Sequence, residues 1–194
     1  MAAAGSNGGP PAAAARGNPD GFGRSSSRAA EKVSDDLRRG SGPYLTRRRR
    51  TVGLSLGAAA SLGVVALYQT GILKHLPEPS LPLLDADKVD ASGEAYQLFK
   101  LPDALLGIGS YTATAALAAM GGARRHRESP WLPLLLAAKV ALDALWAGGL
   151  TVEQVSKHKA LCSWCLATAA ATFATVPQVV PEARAAVAAL RRSA

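Results

Sequence analysis

The two cysteines of the chain lie in the stretch Leu161-Cys162-Ser163-Trp164-Cys165-Leu166, which leads into an apolar run from Ala167 to Val176. The run predicts a membrane-spanning helix that begins at the cysteines. Cys162 and Cys165 then share one helical face, because residues i and i+3 are neighbours on a helix. A pair at this spacing can form a reversible disulfide. Zinc would need further ligands of the same kind, so the pattern favours redox chemistry over a metal site. Inert packing in a membrane helix is the remaining alternative.

The composition is basic, with its charges placed beside apolar runs. The formal net charge is +8, 48% of the residues are hydrophobic and 5% are aromatic. Arginines that flank apolar segments are typical of a membrane topology signal. No aromatic residues alternate with Arg47 to Arg50, as stacking on single-stranded nucleic acid would require. Nucleic acid is therefore not an expected partner, whereas a lipid bilayer is.

Long uncharged segments predict the fold class. Thr51 to Leu73 contains no charged residue, and as a helix it would extend about 34 Å, enough to cross a bilayer core of about 30 Å. Three later apolar segments have similar lengths. We predict an all-α, polytopic membrane protein built as a four-helix bundle, with spans at about 51–73, 102–122, 131–150 and 161–180.

The segments that flank these spans are polar. Residues 1–45 are rich in Ala, Gly, Ser and Pro, a composition that cannot bury enough apolar surface to fold. They predict a disordered cytoplasmic tail, apart from a brief helical turn at 34–39 with Ser34 as its cap. Residues 46–182 form the membrane domain, and residues 183–194 a basic cytoplasmic tail.

Three arginine clusters predict the topology. With four spans they all fall on one side, as the positive-inside rule requires. The acidic segment 74–100 and the Cys162 end of the last span then lie on the opposite side. We expect a multi-pass protein of a bacterial inner membrane with both termini in the cytoplasm and its cysteines towards the periplasm, where disulfide chemistry operates. The clusters are Arg47 to Arg50; Arg124, Arg125 and Arg127; and Arg184, Arg191 and Arg192.

Two groups of ionisable residues leave alternatives open. Lys139 and Asp143 lie four residues apart inside the third span, where they could form a neutralising pair that fixes helix packing or part of a proton path. The acids of the connecting segment could be solvated charges or a docking surface that attracts a basic partner. These acids are Asp85, Asp87, Asp90 and Glu94.

Three stretches carry a resemblance to a known family: Ala160 to Leu166 with its C-x-x-C, Phe99 to Ile108 with its proline and leucine-glycine pair, and Tyr68-Gln69-Thr70-Gly71. With these stretches the chain resembles the vitamin K epoxide reductase family over roughly residues 51–180. The resemblance implies a helical bundle around a quinone (ubiquinone or menaquinone), with the cysteine disulfide beside the ring. The quinone would oxidise the pair, and a separate thioredoxin-like dithiol protein would reduce it.

The chain departs from the family pattern in its connecting segment. Family members usually carry a second cysteine pair there, but residues 74–100 contain none. Asp87 to Glu94 lies about where that pair would be expected. Ser156, six residues before Cys162, lies roughly where the family often has a hydroxyl near the quinone, and is the candidate quinone contact.

The leading functional prediction is a membrane thiol-disulfide oxidoreductase that couples its C-x-x-C pair to a quinone. Cys165, deeper in the helix, would react with the quinone, and Cys162, nearer the surface, would exchange with the partner. The alternative is a non-catalytic membrane scaffold of the same fold that has lost the cysteine relay, with both cysteines packed as small apolar residues.

Overall fold

The protein is described by a computed structural model that covers residues 27–193. Within this range the architecture is all-helical, and its β structure is one isolated bridge between Leu84 and Leu161. A 3₁₀ turn, Gly93–Tyr96, precedes the fourth helix, and a π-helical turn, Gln154–His158, follows the sixth. The α-helices are α1 (Arg28–Arg39), α2 (Pro43–Gln69), α3 (Ala86–Asp90), α4 (Asp103–Ala119), α5 (Arg125–Glu128), α6 (Trp131–Glu153) and α7 (Ser163–Ser193).

Among residues 27–193, three stretches of helix are long and apolar enough to cross a membrane by length and composition: Pro43–Gln69, Trp131–His158 and Ser163–Arg192. The predicted all-helical fold is confirmed, and three of the four predicted spans correspond to candidate membrane-spanning helices. The second predicted span is also a helix, but α4 has 17 residues and is therefore shorter than the other three. The described part of the chain therefore contains four long helices, of which three individually meet the length and composition of a span.

The helices α2 and α4 pack side by side in opposite directions. At one end, the Gln69 amide donates to the Asp103 carboxylate at 2.7 Å and accepts from the Ala104 N–H at 3.3 Å. A Cβ atom at Gly107 would meet the Leu62 Cδ1 atom, so the Leu62 side chain of α2 packs directly over this glycine of α4. The helix α7 packs against both α2 and α6.

Arg48 joins the opposite ends of α2 and α4. It is only 2% exposed, although it stands in a run of four arginines. Its guanidinium donates to all five carbonyls from Ala118 to Gly122, at 2.7–3.2 Å. These carbonyls end α4 and have no partner within that helix. One member of the arginine cluster is therefore a structural cap, a role that charge counting alone did not predict.

A second buried arginine lies at the same end of the bundle. Arg125 is 1% exposed, and it forms an ion pair of 2.7 Å with Glu182 of α7. Its guanidinium also donates to the Leu117 carbonyl at 2.6 Å and the Met120 carbonyl at 2.8 Å. Arg48 and Arg125 together link the start of α2, the end of α4 and the interior of α7 through buried polar contacts.

The predicted disorder of residues 1–45 is wrong for the α1 segment. This helix is capped by Ser27, whose hydroxyl accepts from the Ala30 N–H at 3.1 Å, and not by Ser34. Arg49 of α2 binds the end of α1, donating to the Gly40 carbonyl at 2.7 Å. Charged side chains of α2 can thus anchor a helix that has no buried residue of its own. Residues 1–26 of the predicted tail lie outside the described range.

The helix α7 continues well past the predicted end of the last span. It passes through Pro177 and Pro181 and includes residues 183–193, so the predicted basic tail is helical over that part. Proline lacks the N–H that would bind the carbonyl four residues earlier. Arg47 replaces that lost donor at Pro181, because its guanidinium lies 3.0 Å from the Pro177 carbonyl oxygen.

Candidate redox site

The two cysteines occupy the first turn of α7. Cys162 directly precedes the helix, and its sulfur accepts from the Cys165 backbone N–H at 3.2 Å. Both cysteines are free thiols. The Cys162 sulfur therefore accepts from one of the backbone N–H groups that the start of a helix leaves without a partner. The two cysteines thus lie close together at the start of α7, as the sequence predicted from their spacing.

Cys162 is fully buried, with 0% of its surface exposed, whereas Cys165 is partly exposed. The prediction that Cys162 is the more accessible sulfur is wrong in this conformation. The reason is the segment that connects α2 to α4, residues 74–100, which folds back over the start of α7 and is called the outer segment because it covers that helix start. Leu161 donates to the Leu83 carbonyl at 2.7 Å, and the Leu161 carbonyl accepts from the Asp85 N–H at 3.0 Å. Position along a helix therefore did not predict exposure.

Glu78 and Trp164 hold this outer segment in place. The Glu78 carboxylate accepts from the Ser163 hydroxyl at 3.0 Å and, more weakly, from the Ser163 N–H at 3.4 Å. It also accepts from the Ala86 N–H. Trp164 donates from its indole N–H to the Pro77 carbonyl at 2.9 Å. Residues on both sides of Cys162 in the sequence are therefore hydrogen-bonded to the outer segment, which covers the Cys162 sulfur.

Asp90, the last residue of α3, lies against the cysteines. It is only 4% exposed, and its Oδ1 atom is 3.5 Å from the Cys165 sulfur. One ligand atom of each of Asp90, Cys162 and Cys165 lies within 4.8 Å of the others. Burial raises the pKa of Asp90 to about 6. Contacts with the thiols oppose this rise, while the negative charges of Asp103 and Glu78 add to it.

The sequence did not single out Asp90 as a site residue. Its acidic neighbours suggested a solvated loop, and no local pattern predicts that one of four similar acids turns inward. The three donor atoms of the cluster are one fewer than the four of a closed structural zinc site. Within the described part of the chain, the cluster contains no further histidine, cysteine or acid that could act as a metal ligand.

Gln154 is a second residue that sequence reasoning missed. It is 6% exposed, and its side-chain oxygen accepts from the Cys162 N–H at 3.0 Å. The π-helical turn directs this amide towards α7. Ser156, the predicted quinone contact, lies in the same turn but is exposed, and its hydroxyl lies 3.4 Å from the Glu153 carbonyl. A role for Ser156 at a quinone stays a prediction.

The profile of the vitamin K epoxide reductase family matches residues 50–180, more than half of the chain. The chain belongs to this family. Searches of curated proteins and of solved structures returned no significant match. Membership in the vitamin K epoxide reductase family indicates a membrane oxidoreductase associated with quinones. The matched range includes both cysteines and Asp90, so the thiol–carboxylate cluster belongs to the family domain.

The surroundings of the cysteines fit the quinone that the vitamin K epoxide reductase family implies. A quinone ring is flat and largely apolar, and Cys165 is packed against an apolar cluster at the cysteine end of the bundle. A partly exposed thiol beside apolar side chains is a suitable environment for such a ring. The partly buried members of this wall include Leu62, Val64, Tyr68, Ile108 and Trp164.

The other acids of the outer segment are bound within the protein. Asp87 accepts from the Leu76 N–H at 2.8 Å and contacts His75 at 2.7 Å. Glu94 pairs with Lys157 at 3.0 Å and with His158 at 3.3 Å. Because Asp90 is also buried, the proposed acidic docking surface loses that residue, and internal partners partly neutralise two of the remaining three.

A second polar cluster lies between α4 and α6. Lys139 and Asp143 form an ion pair of 2.7 Å, and their side chains are 19% and 15% exposed. The Ser110 hydroxyl accepts from Lys139 at 2.8 Å and donates to Asp143 at 3.1 Å. Thr114 donates to the same carboxylate at 3.2 Å. The predicted pairing of Lys139 with Asp143 is present, and it is shared with hydroxyls of a neighbouring helix.

Proposed function

We propose that the protein is a membrane thiol-disulfide oxidoreductase that couples the Cys162–Cys165 pair to ubiquinone or menaquinone. The observation that carries this proposal is the position of two free thiols at the start of α7, with Cys165 partly exposed beside the apolar wall. The family match supports redox chemistry with a quinone. A separate thioredoxin-like dithiol protein supplies the reducing equivalents.

The chain's own residues divide the work between them. A bound quinone supplies a two-electron, two-proton acceptor. Leu62, Tyr68 and Ile108 would hold its ring and exclude water from the apolar wall that Cys165 belongs to. Cys162, at the start of α7 and next to the outer segment, would be the thiol that exchanges with the partner. Because Cys162 is sealed, exchange with a protein partner requires the outer segment to move away from α7.

We also propose that α4 crosses the membrane as the fourth span. Arg48 and Gln69 mark the two ends of the α2–α4 contact, about 31 Å apart at 1.5 Å per residue. This distance matches a bilayer core of about 30 Å, so α4 and its flanking residues traverse the same layer as α2. With four spans, the arginine-rich end faces the cytoplasm and the cysteine end faces the periplasm of a bacterial inner membrane.

The test follows the redox state of the cysteines in isolated membranes. Alkylation with a mass-shifting thiol reagent should show a reduced pair without quinone and an oxidised pair after quinone is added. The Cys165→Ser variant should trap a mixed disulfide between Cys162 and a reducing partner. The Cys162→Ser/Cys165→Ser double variant is the matched control. A pair that stays reduced with quinone present would refute the proposed activity.

One observation favours the scaffold alternative. Cys162 is fully buried and its sulfur caps α7, as a structural cysteine would. Under that alternative both thiols remain reduced and unreactive under all conditions of the alkylation assay. The same alkylation assay therefore distinguishes the two functions, because the oxidoreductase predicts a change in redox state and the scaffold predicts none.

A further inference from the structure

Two acids are buried among the residues that the structure describes, and their environments differ. Glu182, 3% exposed, is paired with Arg125. Asp90, 4% exposed, has thiols as its side-chain neighbours and no cation among the groups that shift its pKa. A buried carboxylate without a cation is costly in its charged form. Such a group is held by the fold at a position where it can exchange a proton.

The backbone fixes the place of Asp90. Its carbonyl lies 3.4 Å from the Gln69 amide nitrogen of α2, and α3 is itself bonded through Asp85 to Leu161, next to the cysteines. The nearby titratable groups are mainly acids, thiols and a phenol. The cations of the π-helical turn, Lys157 and His158, bind Glu94 instead. The groups that face Asp90 are Tyr68 of α2, Glu78 of the outer segment, Asp103 of α4, and Cys162 and Cys165 of α7.

We propose that Asp90 is the catalytic proton donor and acceptor for the Cys165 sulfur during disulfide exchange. This proposal rests on the proposed function, since it assigns a residue to the same thiol chemistry. The position of the Oδ1 atom, 3.5 Å from the Cys165 sulfur, carries it. A positioned acid–base group contributes roughly 10²–10⁴-fold to such a step.

The step balances with a dithiol as the reductant. One thiolate of the dithiol attacks the Cys162 sulfur, the Cys162–Cys165 bond breaks, and Cys165 leaves as a thiolate. Protonated Asp90 gives its proton to that thiolate and becomes a carboxylate. The second thiol of the dithiol then displaces Cys162 and forms the external disulfide. The proton that this thiol loses restores protonated Asp90 through solvent. Cys162 takes from solvent the proton that the dithiol released when its attacking thiolate formed. In the reverse direction the Asp90 carboxylate removes the Cys165 proton.

The test measures reduction of the oxidised full-length protein by dithiothreitol, which needs no quinone. The second-order rate constant is expressed per dithiothreitol thiolate between pH 5 and 9. In the wild type it should be constant at low pH and fall above a break at or somewhat above pH 6, as Asp90 loses its proton. In Asp90→Asn it should be independent of pH and about 100-fold below the wild-type plateau.

The level of the Asp90→Asn rate separates proton transfer from simple charge repulsion. An amide carries no charge, as a protonated acid does, but it cannot give a proton. If Asp90 acted only by repelling the Cys165 thiolate, the variant would stay at the wild-type plateau, and this result would overturn the proposal. A variant that kept the pH break would also overturn it. Asp85→Asn is the matched control, because asparagine caps a helix as well as aspartate does.

A second pair of variants guards against misfolding. In Asp90→Ala, added formate should restore part of the lost rate, because the vacated space admits a small carboxylic acid. The same formate should leave Asp90→Asn unchanged, and a lack of rescue in Asp90→Ala would count against the proposal. If wild-type protein shows the pH break but no oxidation by quinone, the proposed function fails while the role of Asp90 stands. If quinone oxidises the wild-type protein but Asp90→Asn reacts at the wild-type rate, the proposed function stands and the role of Asp90 fails.

Discussion

The Asp90 Oδ1 atom lies 3.5 Å from the Cys165 sulfur, although 75 residues separate the two in sequence. The contact places a carboxylate beside a thiol in a region from which water is largely excluded. Ionised, the acid is poorly solvated there, so the fold carries a stability cost at any pH at which Asp90 is charged. A group that is retained at such a cost is a candidate for function.

Removing the Asp90 charge should stabilise the protein at alkaline pH. Folding raises the pKa of Asp90 from 3.8 to about 6, so the folded state binds the proton more tightly than the unfolded state. The contribution to stability is full below pH 4 and is lost as pH rises through about 6. The loss approaches about 3 kcal/mol. Thermal unfolding in detergent should show Asp90→Asn more stable than wild type at pH 8, with little difference at pH 4. A lower melting temperature at pH 8 would contradict this expectation.

Shortening Glu78 should open the outer segment. Its carboxylate joins Ala86 to Ser163, and charge-assisted hydrogen bonds contribute about 1.5–3 kcal/mol. In Cys165→Ser protein, the added Glu78→Ala change should therefore raise the alkylation rate of Cys162 by about 10- to 100-fold. The control is Glu94→Gln, a more exposed acid of the same segment, which should have little effect. Equal alkylation with and without Glu78→Ala would show that another contact seals Cys162.

Replacing Arg48 should destabilise the bundle far more than replacing its neighbour Arg50. Arg48→Gln removes five hydrogen bonds to carbonyls at and just after the end of α4. The Ala118 and Met120 carbonyls keep Arg125 as a donor, and the loss at the others should cost at least about 3 kcal/mol. Arg50→Gln removes the same charge from an exposed position, so any effect on topology is matched between the two. Melting temperature and proteolysis in detergent measure the difference. Similar values for both variants would mean that Arg48 acts only as a topology charge.

The Lys139–Asp143 pair should respond differently to single and double replacement. Lys139→Met leaves Asp143 unpaired in the bundle and should cost about 3–5 kcal/mol. Lys139→Met/Asp143→Leu should recover most of that loss, because an apolar pair needs no counter-charge. If the double variant is stable and turns over quinone at the wild-type rate, the pair has a packing role. A stable double variant with slow turnover would instead support a proton path.

Most of the helical layout could be predicted from the sequence. Long apolar runs locate α2, α6 and α7 because a membrane segment must be mostly apolar, and the C-x-x-C pair is visible at the start of α7. The end of α7 was missed, since two prolines normally end a helix. Arg47 supplies a donor that replaces the one lost at Pro181, and no rule of local sequence could indicate that contact.

The candidate site was predictable only in its cysteines. Asp90, Gln154 and Glu78 reach the site through long-range contacts, and each belongs to a stretch whose polarity is typical of a solvated loop. The burial of Cys162 was missed for the same reason, because it depends on a segment that folds back over α7. Ser156 illustrates the opposite error, in which a suitable residue type at a suitable spacing is exposed.

The Arg48 cap has a consequence for how the protein is made. Its acceptor carbonyls lie 70–74 residues later in the chain, so they do not exist when α2 first leaves the ribosome. Until α4 has been synthesised and inserted, the Arg48 guanidinium must remain in water or among lipid headgroups. The helices α2 and α4 therefore reach their final packing together, as a hairpin, and α2 alone is an assembly intermediate with an unsatisfied charge at its end.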